Sequence, residues 1–276
     1  MGRTRYTRGD GLRIAYEKRG TLHFRRQWLI LVQGLGFDRS GWGPVTRRLR
    51  RRFRLLLVDN RGTGRSAAPA DSLSVADLSN DVVRVLDAAG VRRAHVVGTS
   101  LGGMVAQELA IEHPERVDRL VLACTTPGWP YAYAMPASSV QLMAVTGQLE
   151  REVALRRHVE NALSARTVRT RPELVKRLIK HQRKRPSDPA AWAAMAAAGA
   201  RYSGGTRQTR IQAPTLVLHG AADRVVDPRN SELLAHRIPG SQLKIFPDLG
   251  HLFFWEDPAG FAHVVTSFLR KNGQLA

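Results

Sequence analysis

Apolar and polar positions change period repeatedly along this chain. Residues 28–34 (WLILVQG) and 53–60 (FRLLLVDN) are short unbroken apolar runs, the pattern of strands buried on both faces. Between them, residues 41–52 (GWGPVTRRLRRR) predict a short helix. Residues 74–89 carry Leu78, Val82, Val85 and Leu86 on one helical face, with Ser74 as cap and Asp77 three residues on. A strand at 94–99 (AHVVGT), a helix at 101–112 and a strand at 119–126 (RLVLACTT) follow. Residues 3–20 read as an opening hairpin turning at Gly9-Asp10-Gly11.

The alternation then stops. Residues 129–210 predict helix after helix, at 138–146, 150–164, 172–184 and 189–202, with no convincing strand. It resumes with a strand at 213–223, a helix near 230–237, a strand at 242–246 (QLKIF) and a last helix at 258–271. Strands alternating with helices predict an α/β fold with a mostly parallel sheet covered by helices. The expected division is one core formed by 1–128 and 211–276, with 129–210 as an inserted helical cap.

A chemical signal stands at one strand-to-helix junction. Gly98-Thr99-Ser100-Leu101-Gly102 matches G-x-S-x-G, a tight turn that projects a serine hydroxyl above a sheet. A serine is a weak nucleophile at neutral pH and needs a base with a partner to orient it. Nine histidines compete, and position selects His251, between the last strand and the last helix. His219 ends a strand inside LVLHGAAD and is expected to shape the turn that carries an acid. Asp223 at the end of that turn is the candidate acid, with Asp227 as runner-up and helix cap. Asp248 and Asp257 lie too near His251 in sequence to reach behind its ring. The order Ser100, Asp223, His251 is that of one known architecture. An oxyanion hole is expected from the Leu101 amide and from the loop Gln33-Gly34-Leu35-Gly36, with Leu35 as second donor. Gly34-x-Gly36 fails as a dinucleotide fingerprint, because Arg39 stands where the third glycine should be.

Together the blocks VQGLG, DNRGTGRS (59–66), GTSLGG, LVLHGAADRVVDP and GHLFFWEDP resemble the α/β-hydrolase fold family, in its cap-bearing esterase, lactonase and C–C hydrolase branch. The resemblance runs from Tyr6 to about Leu269. It implies a serine hydrolase acting on an ester, lactone or thioester through an acyl-enzyme on Ser100. C–C cleavage, elimination or cyclisation of a β-dicarbonyl or polyketide-like substrate is the alternative, and a ligand-binding protein with a vestigial triad is a third reading. It also implies that 59–66 supports the oxyanion loop. Gln33 replaces the family's usual histidine. Ser100 in place of aspartate separates the chain from haloalkane dehalogenases and epoxide hydrolases. Leu101 in place of tryptophan separates it from proline iminopeptidases. Trp255 resembles the tryptophan that follows the catalytic histidine in C–C hydrolases.

Composition narrows the partners. No stretch reaches the roughly 20 apolar residues of a membrane span, residues 1–6 lack a secretory signal, and Cys124 is the single cysteine, so a cytoplasmic protein is expected. Formal net charge is +20, and residues 129–210 hold 15 Lys/Arg against 5 Asp/Glu. That excess reads as solvated helix faces, or as a patch for an anionic or carrier-protein-bound small-molecule substrate. No nucleic-acid module, metal-ligand cluster or cofactor motif is visible, and no oligomeric state is implied. Trp129, Tyr131, Tyr133, Met135, Trp192 and Met195 are candidates to line an apolar pocket, the alternative for each being a place in the core of the cap, with Gln33, Gly34 and Trp255 beside the pocket.

Overall fold

The computed structural model describes residues 3–7, 12–20, 26–67 and 72–270. Eight strands form one sheet: β1 (Thr4–Tyr6), β2 (Ala15–Arg19), β3 (Trp28–Val32), β4 (Arg54–Val58), β5 (Ala94–Thr99), β6 (Val117–Ala123), β7 (Thr215–Gly220) and β8 (Gln242–Phe246). Their order is β1-β2-β4-β3-β5-β6-β7-β8, with β2 antiparallel to both β1 and β4 and all other pairs parallel. The hairpin is present, while its Gly9-Asp10-Gly11 turn lies outside the described residues.

Alternate side chains of each inner strand enter opposite layers, as a period of two requires. Ile30, Val32, Leu56, Val96 and Leu120 pack with α2 (Val75–Ala88) and α3 (Leu101–Glu112). Leu29, Leu31, Leu55, Leu57 and Val121 pack on the other face with α1 (Gly43–Leu49), α10 (Phe253–Glu256) and α11 (Pro258–Arg270). The start of α2 is fixed by a capping box: Ser74 Oγ accepts the Asp77 N–H at 3.1 Å and Asp77 accepts the Ser74 N–H at 2.9 Å.

Between β6 and β7 run α4 (Ala137–Thr146), α5 (Arg151–Asn161), α6 (Ala165–Thr170), α7 (Pro172–Arg183) and α8 (Pro189–Arg201); α9 (Arg229–Arg237) precedes β8. These inserted helices share the main cores. Met195 and Ala198 of α8 pack with Leu101 and Val105, and Leu174 and Leu178 of α7 pack with Phe253 and Trp255. The short α6 and α10 escape periodic reading, because six and four residues hold less than two turns of pattern.

The winding of the sheet reverses between β3 and β5. In open α/β sheets a crevice forms beyond the carboxyl ends of strands at such a point. The loop after β3, the serine after β5, and the Asp223 and His251 loops after β7 and β8 all emerge along that one edge.

Candidate active site

Ser100 sits between β5 and α3 with φ 53° and ψ −121°. That left-handed conformation costs a non-glycine residue roughly 1–3 kcal/mol and survives where surroundings over-determine it. Here they do. The Ser100 N–H donates to Ala123 O at 2.9 Å, and its carbonyl accepts the Thr125 hydroxyl at 2.7 Å. Glycines make the turn possible: a Cβ on Gly98 would lie 2.1 Å from Gly102 O, and one on Gly102 2.3 Å from Val32 O. The turn is thereby pressed between the end of β3 and its own helix. The Ser100 side chain stays partly exposed.

Asp223 and His251 meet across 28 residues of sequence, His251 Nδ1 donating to Asp223 Oδ2 at 2.7 Å. The other carboxylate oxygen accepts the N–H groups of Val225 (2.7 Å) and Val226 (3.0 Å). His219 joins directly, with Nε2 2.9 Å from Asp223 Oδ2 and 3.2 Å from Val226 O. Two acceptors facing Nε2 place the proton there, leaving Nδ1 to accept the Ser231 hydroxyl. Burial pushes the Asp223 carboxyl up, but the charge of His251 and the hydrogen bonds from both imidazoles outweigh it and hold the group well below the usual carboxylate range. With Nδ1 committed to Asp223, Nε2 is the ring nitrogen left for a serine proton. Ser100 Oγ makes no hydrogen bond to any described residue. Cys124, at φ 44°, lies fully buried between the Ser100 backbone and Asp223, and burial raises its thiol pKa well above the ordinary value.

The competing acids are occupied elsewhere. Asp227 holds the N–H and guanidinium of Arg229, Asp248 pairs with Arg166 at 3.3 Å, and Asp257 accepts the Gly260 N–H at 2.8 Å.

Beside the serine, a Cβ on Gly34 would stand 2.9 Å from Ser100 Cβ, so the loop after β3 borders the nucleophile closely. The amides of Leu35 and Leu101 donate to no described backbone carbonyl or side chain. Gln33 is buried and turned inward, its Oε1 accepting from the Gly34 N–H (3.2 Å) and Thr99 Oγ1 (3.3 Å). Its Oε1 is therefore committed to shaping the loop, whereas the sequence placed Gln33 as a substrate contact. Asn60 Nδ2 donates to Gln33 O at 2.8 Å, and the Asp59 carboxylate accepts the Arg39 N–H at 2.8 Å, so segment 59–66 braces this loop.

The expected apolar pocket is assembled only in part. Trp192 comes to the loop, its Nε1 3.5 Å from where a Gly36 Cβ would be. Tyr131 and Tyr133 instead lie against α9, under Arg237 (5.2 Å) and Arg229 (4.0 Å), because cation–π stacking competes with pocket burial for an aromatic ring. Met195 is fully buried in the α8–α3 interface, and Trp255 is buried edge-on to His181, with ring centroids 5.3 Å apart. Trp129 is 65% exposed and Met135 42% exposed.

Sequence reasoning missed Glu256. Its buried carboxylate accepts from the Gly250 N–H (2.7 Å) and the Ser164 hydroxyl (2.8 Å), tying the His251 loop to the start of α6. The signal was an acid, Glu256, closing the apolar run LFFW.

Residues 27–258 match the family model described as alpha/beta hydrolase fold. The chain belongs to that family. A protein of Caulobacter sp. strain K31 provisionally named carbamate hydrolase RutD is 34% identical, over 97% of this chain and 98% of the relative. A 2-hydroxy-6-oxononadienedioate/2-hydroxy-6-oxononatrienedioate hydrolase of Burkholderia vietnamiensis is 30% identical over 95% of this chain and 93% of its own length. Among solved structures, the enol-lactonase of Burkholderia xenovorans superposes with a TM-score of 0.84 at 26% identity, covering 97% of this chain and all of that one. Among the described residues no helix is long and apolar enough to cross a membrane, and no group of three or more metal-binding side chains is assembled.

Proposed function

We propose that this hydrolase cleaves a carboxylic ester, lactone or thioester through an acyl-enzyme on Ser100. The bond between His251 Nδ1 and Asp223 Oδ2 at 2.7 Å, on the edge that carries the strained serine, is the observation that carries the reading. His251 Nε2 accepts the Ser100 proton as Oγ attacks the carbonyl, then returns it to the leaving group. The same nitrogen next activates water to release the acyl group. Asp223 holds the ring in the required tautomer and stabilises the imidazolium. His219 and the Val225 and Val226 amides keep that carboxylate ionised and oriented. Charge developing on the carbonyl oxygen is met by the Leu35 and Leu101 amides, each worth about 3–4 kcal/mol in such a role. Residues 129–210 serve as a cap, with Trp192 reaching the oxyanion loop.

The enol-lactonase likeness and the carbamate hydrolase relative support acyl transfer. The dienedioate hydrolase relative favours C–C cleavage as the second reading, run by the same three side chains. A fluorophosphonate probe followed by intact-mass measurement tests the nucleophile: one adduct is expected on the native protein and none on Ser100→Ala. Turnover of p-nitrophenyl esters supports the first reading. Activity on a β-dicarbonyl with no ester turnover supports the second. Failure of the probe to label the native chain defeats both.

A further inference from the structure

Several cations between β6 and β7 have a carboxylate partner: Arg156 with Glu160 (3.4 Å), Arg166 with Asp248 (3.3 Å), Lys176 with Glu173 (2.9 Å) and Arg185 with Asp38 (2.8 Å). Arg157 on α5 and Arg169 on α6 have none among the described residues, and both line one cavity of about 340 Å³. Arg224, the residue after the candidate catalytic acid, lines it too. Its Nη2 donates to Glu160 O (2.7 Å) and Leu163 O (3.2 Å), anchoring the guanidinium to the end of α5. Its Nε is buried and has no partner. A buried N–H left unpaired beside two unpaired guanidiniums is costly unless something accepts from it.

The wall around Arg224 is built. Its carbonyl accepts the Ser139 hydroxyl at 2.6 Å, and Ser139 Oγ accepts from Asn161 Nδ2 at 2.6 Å, so α4, α5 and the Asp223 loop are joined there. Glu160, the one carboxylate among the lining residues, is already beside Arg156.

We propose that this cavity binds a phosphate-type oxyanion, as a phosphate ester or diphosphate. One arginine satisfies one carboxylate by a two-pronged contact, whereas three arginines around a space of this size suit a group with more charge and more acceptor oxygens. Arg224 follows Asp223 directly in the chain, about 3.8 Å away Cα to Cα, so the cavity and the candidate acid share one loop. The natural use is a phosphate carried on the leaving group of a thioester. That use rests on the proposed acyl transfer, while the anion site itself does not.

Calorimetry with inorganic pyrophosphate tests the site independently of catalysis. The full chain is expected to give saturable binding that weakens at least tenfold in Arg157→Gln/Arg169→Gln. Both arginines are exposed and lie outside the catalytic machinery, so turnover of a neutral p-nitrophenyl ester should stay unchanged and report that the variant is folded. Absence of saturable heat up to about 10 mM, an affinity too weak to matter, overturns the proposal. Equal affinity in native and variant chains does too, since it puts the anion elsewhere on this cationic surface. A second comparison separates the sources. If the anion is a substrate handle, KM for an acyl-coenzyme A rises in the variant while KM for the same acyl group on N-acetylcysteamine does not. If both thioesters are unaffected while pyrophosphate binding is lost, the site takes a free polyphosphate.

Discussion

Asp223→Asn separates the role of the carboxylate from its shape. The native group accepts four hydrogen bonds: two amides on Oδ1, and the His251 and His219 ring nitrogens on Oδ2. Asparagine keeps the Oδ1 pair but puts an NH2 where Oδ2 was. His219 keeps its proton on Nε2 because Val226 O accepts from it there, so two donors then oppose each other. His251 can adapt only by accepting at Nδ1, which moves its proton to Nε2 and removes the base that Ser100 requires. The expected loss in kcat is about 10³–10⁴-fold, equivalent to about 4–5.5 kcal/mol of barrier. Stability should fall by about 1–3 kcal/mol for the unpaired buried donors. Initial rates on a p-nitrophenyl ester at pH 7.5, beside urea unfolding, measure both. Asp227→Asn is the control: its partner Arg229 is exposed, so activity should hold and stability change by about 0.5 kcal/mol or less. Asp223→Asn within tenfold of native kcat, or Asp227→Asn as the crippled variant, would falsify the assignment of the acid.

Gly98→Ala forces a methyl to within 2.1 Å of Gly102 O and should cost about 3 kcal/mol or prevent folding, read from the urea midpoint. Glu256→Gln turns one carboxylate oxygen into a donor against the Gly250 N–H or the Ser164 hydroxyl. A loss of about 1–3 kcal/mol and a slower enzyme are expected, and an unchanged melting temperature would contradict the bracing role. Burial lowers His95 to about 4 against the partial opposition of Asp118, so the folded state prefers the neutral ring. Its contribution is complete above about pH 6.5 and is lost on acidification, reaching about 3 kcal/mol by pH 4. In His95→Gln the pH dependence of the urea midpoint across that window should flatten by this amount; an identical slope would contradict it.

What could be read from the chain, and what could not, divides along sequence distance. The strands, the capped α2 and the tight turn at Ser100 are signalled locally, by a period, a cap or a run of glycines, although the contact that excludes a side chain at Gly102 comes from Val32 O. The candidate acid and base are distant from Ser100, yet each lies in the loop after a parallel strand, and such loops share one edge, so topology did the work that spacing could not. Pairings between loops leave no such trace. Glu256 and Ser164 meet across 92 residues, and neither lies in a pattern that points to the other. The inserted helices show the same limit from the packing side. Tyr131 and Tyr133 carry an apolar face that suits either a substrate pocket or a guanidinium. Only the fold brings Arg229 and Arg237, about 100 residues later, over them. Helical periodicity says that a residue has a buried side without saying what it is buried against. The candidate constellation was therefore legible because backbone topology dictates it, while the pocket expected around it depends on how the helices between β6 and β7 lie over that edge.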